Sequence, residues 1–199
     1  MTDGRVAIQP WRLGGTAPQI GGELLVFSIA TPATAIRDQA RQQVRQALRE
    51  ILAPALGCLV PEVPLLSSPG QPLQLDFPGH SMGLSVSHEV GLSLFAINPP
   101  GPVGVDLLKL EQLPLADEEL LRLATDYLGP ETAHALGCST TGQRRQMFAL
   151  AWAKHEASLK CLGEGLREWS PPRQAKLAPC RVRELALPEG WAGAVAVIG

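Results

Sequence analysis

Glu156 and Lys160 lie four residues apart in the stretch Trp152-Ala153-Lys154-His155-Glu156-Ala157-Ser158-Leu159-Lys160. If that stretch is helical, Trp152, Glu156 and Lys160 share one face, advancing only about 40° per step. An acid and a base one turn apart can be a solvated ion pair contributing about 0.2–0.5 kcal/mol. They can also belong to a site whose third member is Asp106, which closes the run Gly104-Val105-Asp106 fifty residues before Glu156. Hard divalent cations take oxygen ligands, usually one or two carboxylates completed by substrate phosphates and water. Asp106 at a strand and Glu156 on a helix supply that minimum if the two elements pack together, with Lys160 beside them as a phosphate clamp. Spacing alone leaves both readings open.

Two further groups bear on the choice. Ser87-His88 follows the apolar residue Val86 where a strand gives way to a turn. A histidine there can donate to phosphate while the serine adds a hydroxyl, or it can be an ordinary turn residue. Nothing around Ser87 forms the Gly-x-Ser-x-Gly elbow of a hydrolase. Arg37, Arg41, Arg45 and Arg49 recur every four residues. Such a stripe is either a solvated helix face or a set of like charges awaiting a polyphosphate or an acidic partner. Neither G-x-x-x-x-G-K-[ST] nor a convincing G-x-G-x-x-G occurs, so no standard nucleotide loop is present.

These residues need elements to position them. Residues 23–30 read as a largely buried strand. Thr31 as cap and Pro32 in the first turn then start a helix with Ile36, Ala40, Val44, Ala47, Leu48 and Ile51 on its apolar side, ended by Pro54 and Gly57. A Pro-rich loop spans residues 60–72. Residues 83–88 and 91–97 read as hairpin strands joined at His88-Glu89-Val90-Gly91. The turn Asn98-Pro99-Pro100-Gly101-Pro102 opens onto an apolar strand at 103–108. Helices are predicted around 117–127 and 144–162, with Gly163 as stop, and residues 182–187 and 191–198 as a closing antiparallel pair. This order predicts an α+β fold rather than a parallel αβ sandwich. It also suggests two similar halves, 1–102 and 103–199, although no residue-by-residue internal repeat is evident.

The whole chain sets bounds. Its 199 residues suffice for one domain or two small halves sharing a core. A net charge of −2 argues against a general nucleic-acid binder. Cys58, Cys138, Cys161 and Cys180 are scattered without CxxC spacing, the pattern of reduced thiols rather than a zinc site or disulfide framework. No apolar run approaches a membrane span and the N-terminus lacks an apolar signal core, so a cytoplasmic protein is expected.

Taken together and in order, the Arg-bearing helix, Gly70-Gln71-Pro72, Ser87-His88, Gly104-Val105-Asp106 and Trp152 through Lys160 with Gly163-Glu164-Gly165-Leu166 resemble the 4′-phosphopantetheinyl transferase superfamily. The likeness is strongest to its two-half, monomeric (Sfp-like) type and runs from about Arg37 to Leu166. It implies a pseudo-dimer, each half a small antiparallel sheet packed with helices, with the site between halves. It further implies transfer of phosphopantetheine from coenzyme A to a serine of an apo acyl or peptidyl carrier protein, dependent on Mg²⁺ or Mn²⁺. Asp106 and Glu156 would hold the metal. Glu156 would also deprotonate the carrier serine, directly or through water, and Lys160 would stabilise charge on the bridging phosphate or leaving group. Ser87 and His88 would contact the coenzyme, and Arg37 and Arg45 (or Arg41, by a shift of register) would grip its 3′-phosphate.

Three positions depart from the family pattern. Leu108 stands where a second metal-binding acid is frequent, although Asp106-Leu107-Leu108-Lys109 resembles a variant with two apolar residues and then lysine. His155 replaces a lysine before the glutamate, with a charge expected to be partial near neutral pH. Gln71 replaces the lysine of a Gly-Lys-Pro element. The departures keep a second expectation alive, a non-catalytic relative that binds carrier protein or coenzyme A. Carrier proteins are commonly acidic, so Arg122 and residues 137–145 are candidate docking positions, or merely solubilising arginines.

Overall fold

The strand Leu92–Asn98 is buried on both faces, which makes it the spine of the first sheet. Phe95 and Ile97 face one core and Leu94 and Ala96 the other, as the two-residue period of a strand requires. The computed structural model describes residues 4–32, 37–67, 72–79, 81–113 and 116–199, together with all their side chains except that of Arg37. The described strands are β1 (Gln9–Pro10), β2 (Leu25–Ala30), β3 (Leu65–Leu66), β4 (Gln74–Leu75), β5 (Gly83–Glu89), β6 (Leu92–Asn98), β7 (Val103–Lys109), β8 (Cys180–Glu184) and β9 (Trp191–Ile198). The helices are α1 (Arg37–Leu56), α2 (Asp117–Leu123), α3 (Pro130–Gly137), α4 (Thr141–Leu162) and α5 (Pro171–Lys176). The architecture is α+β. One sheet runs β1-β2-β6-β5, mixed because β1 is parallel to β2; a second runs β7-β9-β8, all antiparallel; β3 and β4 form a small hairpin.

Helix α1 covers one face of the first sheet, burying Val44, Leu48, Ile51 and Leu52 against Phe27, Phe95 and Ile97. The opposite face of that sheet packs Val26, Leu94 and Ala96 against Val103, Val105, Leu107 and Val195 of the second sheet. Strand β7 therefore sends its odd-numbered side chains into the core between sheets. Gly104 and Asp106 point the other way, toward α4.

Helix α4 meets that side with a stripe of small residues. Ala153, Ala157 and Cys161 pack on Ala194 and Ala196 of β9. The closest approach is at Gly104, where a Cβ would lie 1.9 Å from the carbonyl oxygen of Ala157 and 2.5 Å from the backbone nitrogen of Cys161. Only glycine lets helix and strand touch this closely. Trp152, two turns before Lys160 on the same side of α4 as Glu156, is anchored among aromatics, its ring centroid 5.6 Å from Phe148 and 5.7 Å from Tyr127. Gly163 ends the helix in the left-handed conformation, at φ 68°, as expected of a C-terminal glycine stop.

Several boundaries differ from expectation. Pro54 does not end α1; it sits inside the last turn, and the chain leaves the helix at Gly57. The β5–β6 turn is only Val90-Gly91, because Glu89 pairs with Leu92, so His88 lies within the strand rather than in the turn. Strand β2 begins at Leu25, α4 begins at Thr141, and β8 runs from Cys180 to Glu184 rather than over 182–187. The backbone N–H of Thr31 donates to the Gly91 carbonyl oxygen (3.2 Å), extending the β2–β6 ladder by one bond; the helix start that Thr31 is expected to cap lies outside the described residues. Ala33, Thr34 and Ile36 of the expected helix start, and Gly70-Gln71, lie outside the described residues.

Candidate functional site

The site forms where the edge strands of the two sheets, β5 and β7, run side by side. Serine hydroxyls stitch this seam. Ser85 Oγ accepts the N–H of Val105 (2.9 Å), and Ser87 Oγ accepts the N–H of Leu107 (3.2 Å) while donating to Asp106 Oδ1 (3.0 Å). Both serines are buried at the seam. Ser87 and Ser85 sit two residues apart on one face of β5, which is how alternate positions of a strand serve one neighbour. The Ser87 hydroxyl is thus engaged with Asp106 and the β7 backbone.

Asp106 is only 7% exposed. Its Oδ1 also accepts a hydrogen bond from Lys160 Nζ at 2.7 Å. The same ammonium donates to the carbonyl oxygen of Val105 (3.1 Å) and lies 3.5 Å from that of Val86. Lys160 therefore bridges β5 and β7 from α4. One turn earlier on that helix, Glu156 completes the group. Its carboxyl pKa is raised, first by burial and then by the nearby Asp106 charge, while Lys160 pulls the other way. A half-buried acid whose ionisation is opposed by a second carboxylate is poised to hold a proton or to share a cation.

A cleft of about 220 Å³ opens beside this group, lined in part by Pro72, Leu84, Ser85, Val86 and Lys160. Lys160 thus links the buried carboxylate to open space. On the neighbouring helix face, His155 lines a second hollow with Leu159 and Trp169. Burial lowers the His155 pKa, which favours the neutral ring. The partial positive charge expected there near neutral pH is therefore disfavoured. Leu108 follows Asp106 on the same strand face and packs against the cluster of Leu120, Leu128 and Phe148, so its position is apolar by construction.

The remaining sequence candidates lie elsewhere. His88 accepts or donates at Nδ1 to Ser93 Oγ across the β5–β6 pair (2.9 Å). Arg45 Nη2 donates to Ser67 Oγ (2.8 Å), and neither His88 nor Arg45 is among the described residues lining the cleft. Arg41 pairs with Asp38 at 3.2 Å. The side chain of Arg37 lies outside the described residues. Of the carrier-docking candidates, Arg122 pairs with Asp126 (3.2 Å) and stays largely exposed. Arg144 turns inward to Asp117 and the carbonyls of Leu136 and Ser139, and Arg145 to those of Leu110 and Leu113. Those two arginines fasten the loops before α2 and α4 rather than present free charge.

The donor set can be tested against a metal. No group of three or more His, Cys, Asp and Glu side chains suited to a metal occurs among the described residues. Two carboxylates alone are too few for a closed metal cage. They do suit Mg²⁺, which keeps water and takes its remaining oxygens from substrate phosphates. The residues fit a cation shared with a phosphorylated ligand.

Fold and site together define an α+β protein with a buried acid, a second acid and a lysine at the edge of an open cleft, a constellation suited to phosphate chemistry. Residues 102–190 match the family model of the 4′-phosphopantetheinyl transferase superfamily. That segment contains Asp106, Glu156 and Lys160, and stops short of Arg37, Arg45, Ser87 and His88. The chain matches no curated protein. No described helix is long and apolar enough to cross a membrane.

Proposed function

We propose that this protein transfers the 4′-phosphopantetheine group of coenzyme A to a serine hydroxyl of an apo acyl or peptidyl carrier protein, in the manner of a holo-acyl-carrier-protein synthase. The observation that carries the reading is the convergence of Asp106, Glu156 and Lys160 at one seam, within the segment that matches the superfamily. In the reaction, the serine oxygen bonds to the phosphorus bearing pantetheine, and the bond from that phosphorus to the bridging oxygen breaks. The adenosine bisphosphate leaves with the electron pair.

Asp106 and Glu156 would hold Mg²⁺, with Mn²⁺ as a substitute. When bound, the ion supplies charge neutralisation for the pyrophosphate oxygens, the main demand of phosphoryl transfer. Glu156 accepts the proton of the attacking serine, directly or through water; a raised pKa suits a general base better than an ordinary carboxylate's. Lys160 stabilises charge on the bridging or leaving oxygen. The cleft beside Ser85, Val86 and Lys160 would receive the coenzyme; Ser87 and His88 are proposed to contact it and Arg37 and Arg45 to take its 3′-phosphate, which for Arg45 requires leaving Ser67. In this reading residues 1–102 and 103–199 act as two similar halves around the site, in a monomeric cytoplasmic enzyme that needs no nucleic acid or membrane.

A second reading, a non-catalytic relative that binds carrier protein or coenzyme A, draws on the apolar setting of Leu108 and the neutral His155. One experiment separates the two. Incubated with coenzyme A, Mg²⁺ and a panel of apo carriers, the enzyme adds about 340 Da to a carrier serine by covalent transfer. A binding protein retains affinity and adds no mass.

A further inference from the structure

The ammonium of Lys160 occupies the place a cation would want. It approaches Asp106 Oδ1 at 2.7 Å and adds the Val105 and Val86 carbonyl oxygens at 3.1 and 3.5 Å. The arrangement is an oxygen nest drawn from two strands of different sheets, with a positive charge in its mouth. Oδ1 accepts a second bond from Ser87, so that oxygen is engaged twice before any ligand arrives. Resting on the transferase reading, we propose that Lys160 is the resident cation of the ligand-free site, and that a divalent ion takes hold of Asp106 only after an anionic group such as the coenzyme pyrophosphate has drawn the ammonium away.

A metal on Asp106 needs an oxygen at about 2.0–2.1 Å, and an ammonium 2.7 Å from the same carboxylate places two positive charges within a few ångströms. Their repulsion in this half-buried seam is much stronger than in bulk water. Lys160 cannot simply withdraw, because Asp106 would be left as a buried, uncompensated charge. The lysine stem is long and flexible, however, and Lys160 also lines the open cleft. A phosphate there gives the ammonium a second anion to follow, and frees Asp106 in the same movement. Metal and coenzyme then bind synergistically, each raising the affinity for the other by the same factor.

The test uses Mn²⁺ as probe, with free ion counted by electron paramagnetic resonance on the full-length protein. Wild-type chain alone should bind Mn²⁺ at least tenfold more weakly than chain saturated with coenzyme A. The neutral variants Lys160→Met and Lys160→Gln should bind Mn²⁺ without coenzyme at least tenfold more tightly than wild type, and adding Asp106→Asn to either should remove the gain. The glutamine variant keeps an uncharged donor beside Asp106 and serves if the methionine variant does not fold. The wild-type comparison with and without coenzyme needs no variant at all. Equal Mn²⁺ affinities in wild type and the neutral variants, whether tight or too weak to detect, overturn the proposal. Failure of the transferase reading shows itself separately, as no mass gain on any carrier by wild-type enzyme.

Discussion

Gly104→Ala is the perturbation that most sharply tests how the site is held together. A Cβ there would sit 1.9 Å from the Ala157 carbonyl oxygen and 2.5 Å from the Cys161 backbone nitrogen, so the obstacle is helix backbone and not a movable side-chain end. Restoring an ordinary carbon–oxygen contact of about 3.3 Å moves α4 away from β7 by about 1.4 Å. Overpacking of this kind costs about 1–3 kcal/mol, and the upper end applies when backbone must move. For a domain of this size 3 kcal/mol lowers Tm by about 6–12 °C. The displacement also carries Lys160 and Glu156 off Asp106, and a misplacement of about 1 Å in a reacting constellation costs roughly 100-fold in rate. The assays are differential scanning calorimetry and mass-detected transfer to an apo carrier. A variant with wild-type Tm and wild-type rate would refute the claim that this contact sets the geometry of the site.

Other outcomes follow from the same structure. Ser87→Ala removes the donor to Asp106 and the acceptor for the Leu107 N–H, both buried. It should cost about 1–3 kcal/mol in urea denaturation and weaken Mn²⁺ binding in the presence of coenzyme; unchanged values on both counts contradict the seam as described. Glu156→Gln should abolish transfer yet stabilise the fold at alkaline pH. The sign follows from the raised pKa: the group's contribution is fully favourable below the unfolded carboxylate pKa and is lost as pH rises through the higher folded value. Urea midpoints of variant and wild type should therefore converge near pH 4 and separate at pH 8 with the variant higher; the opposite order refutes the assignment.

Much of this architecture was legible in the residues themselves. The apolar runs of β7 and β9 and the helical spacing of α4 place Asp106, Glu156 and Lys160 on elements whose types the pattern specifies. Less was legible in how those elements meet. Ser85 and Ser87, polar residues at alternate positions of a buried strand, carried a readable signal of a cross-strand role that a motif reading of Ser87-His88 passes over. Gly104 carried none, since a glycine in a strand does not announce which backbone approaches it. His88 reads as a turn residue but pairs within the strand, because the turn needs only Val90-Gly91. Pro54 reads as a helix stop because proline lacks an N–H, yet it is accommodated in the last turn of α1. Charge state was the least visible: the neutral preference of His155 comes from burial that only packing supplies.

The most direct measurement is intact-mass spectrometry of apo carrier proteins incubated with the chain, coenzyme A and Mg²⁺. A gain of about 340 Da on a single serine, formed by covalent group transfer, is the expected result. The gain should vanish with a metal chelator and in the Glu156→Gln variant. No gain across acyl and peptidyl carriers with well-folded enzyme, or a gain that survives Glu156→Gln, would contradict the proposed mechanism.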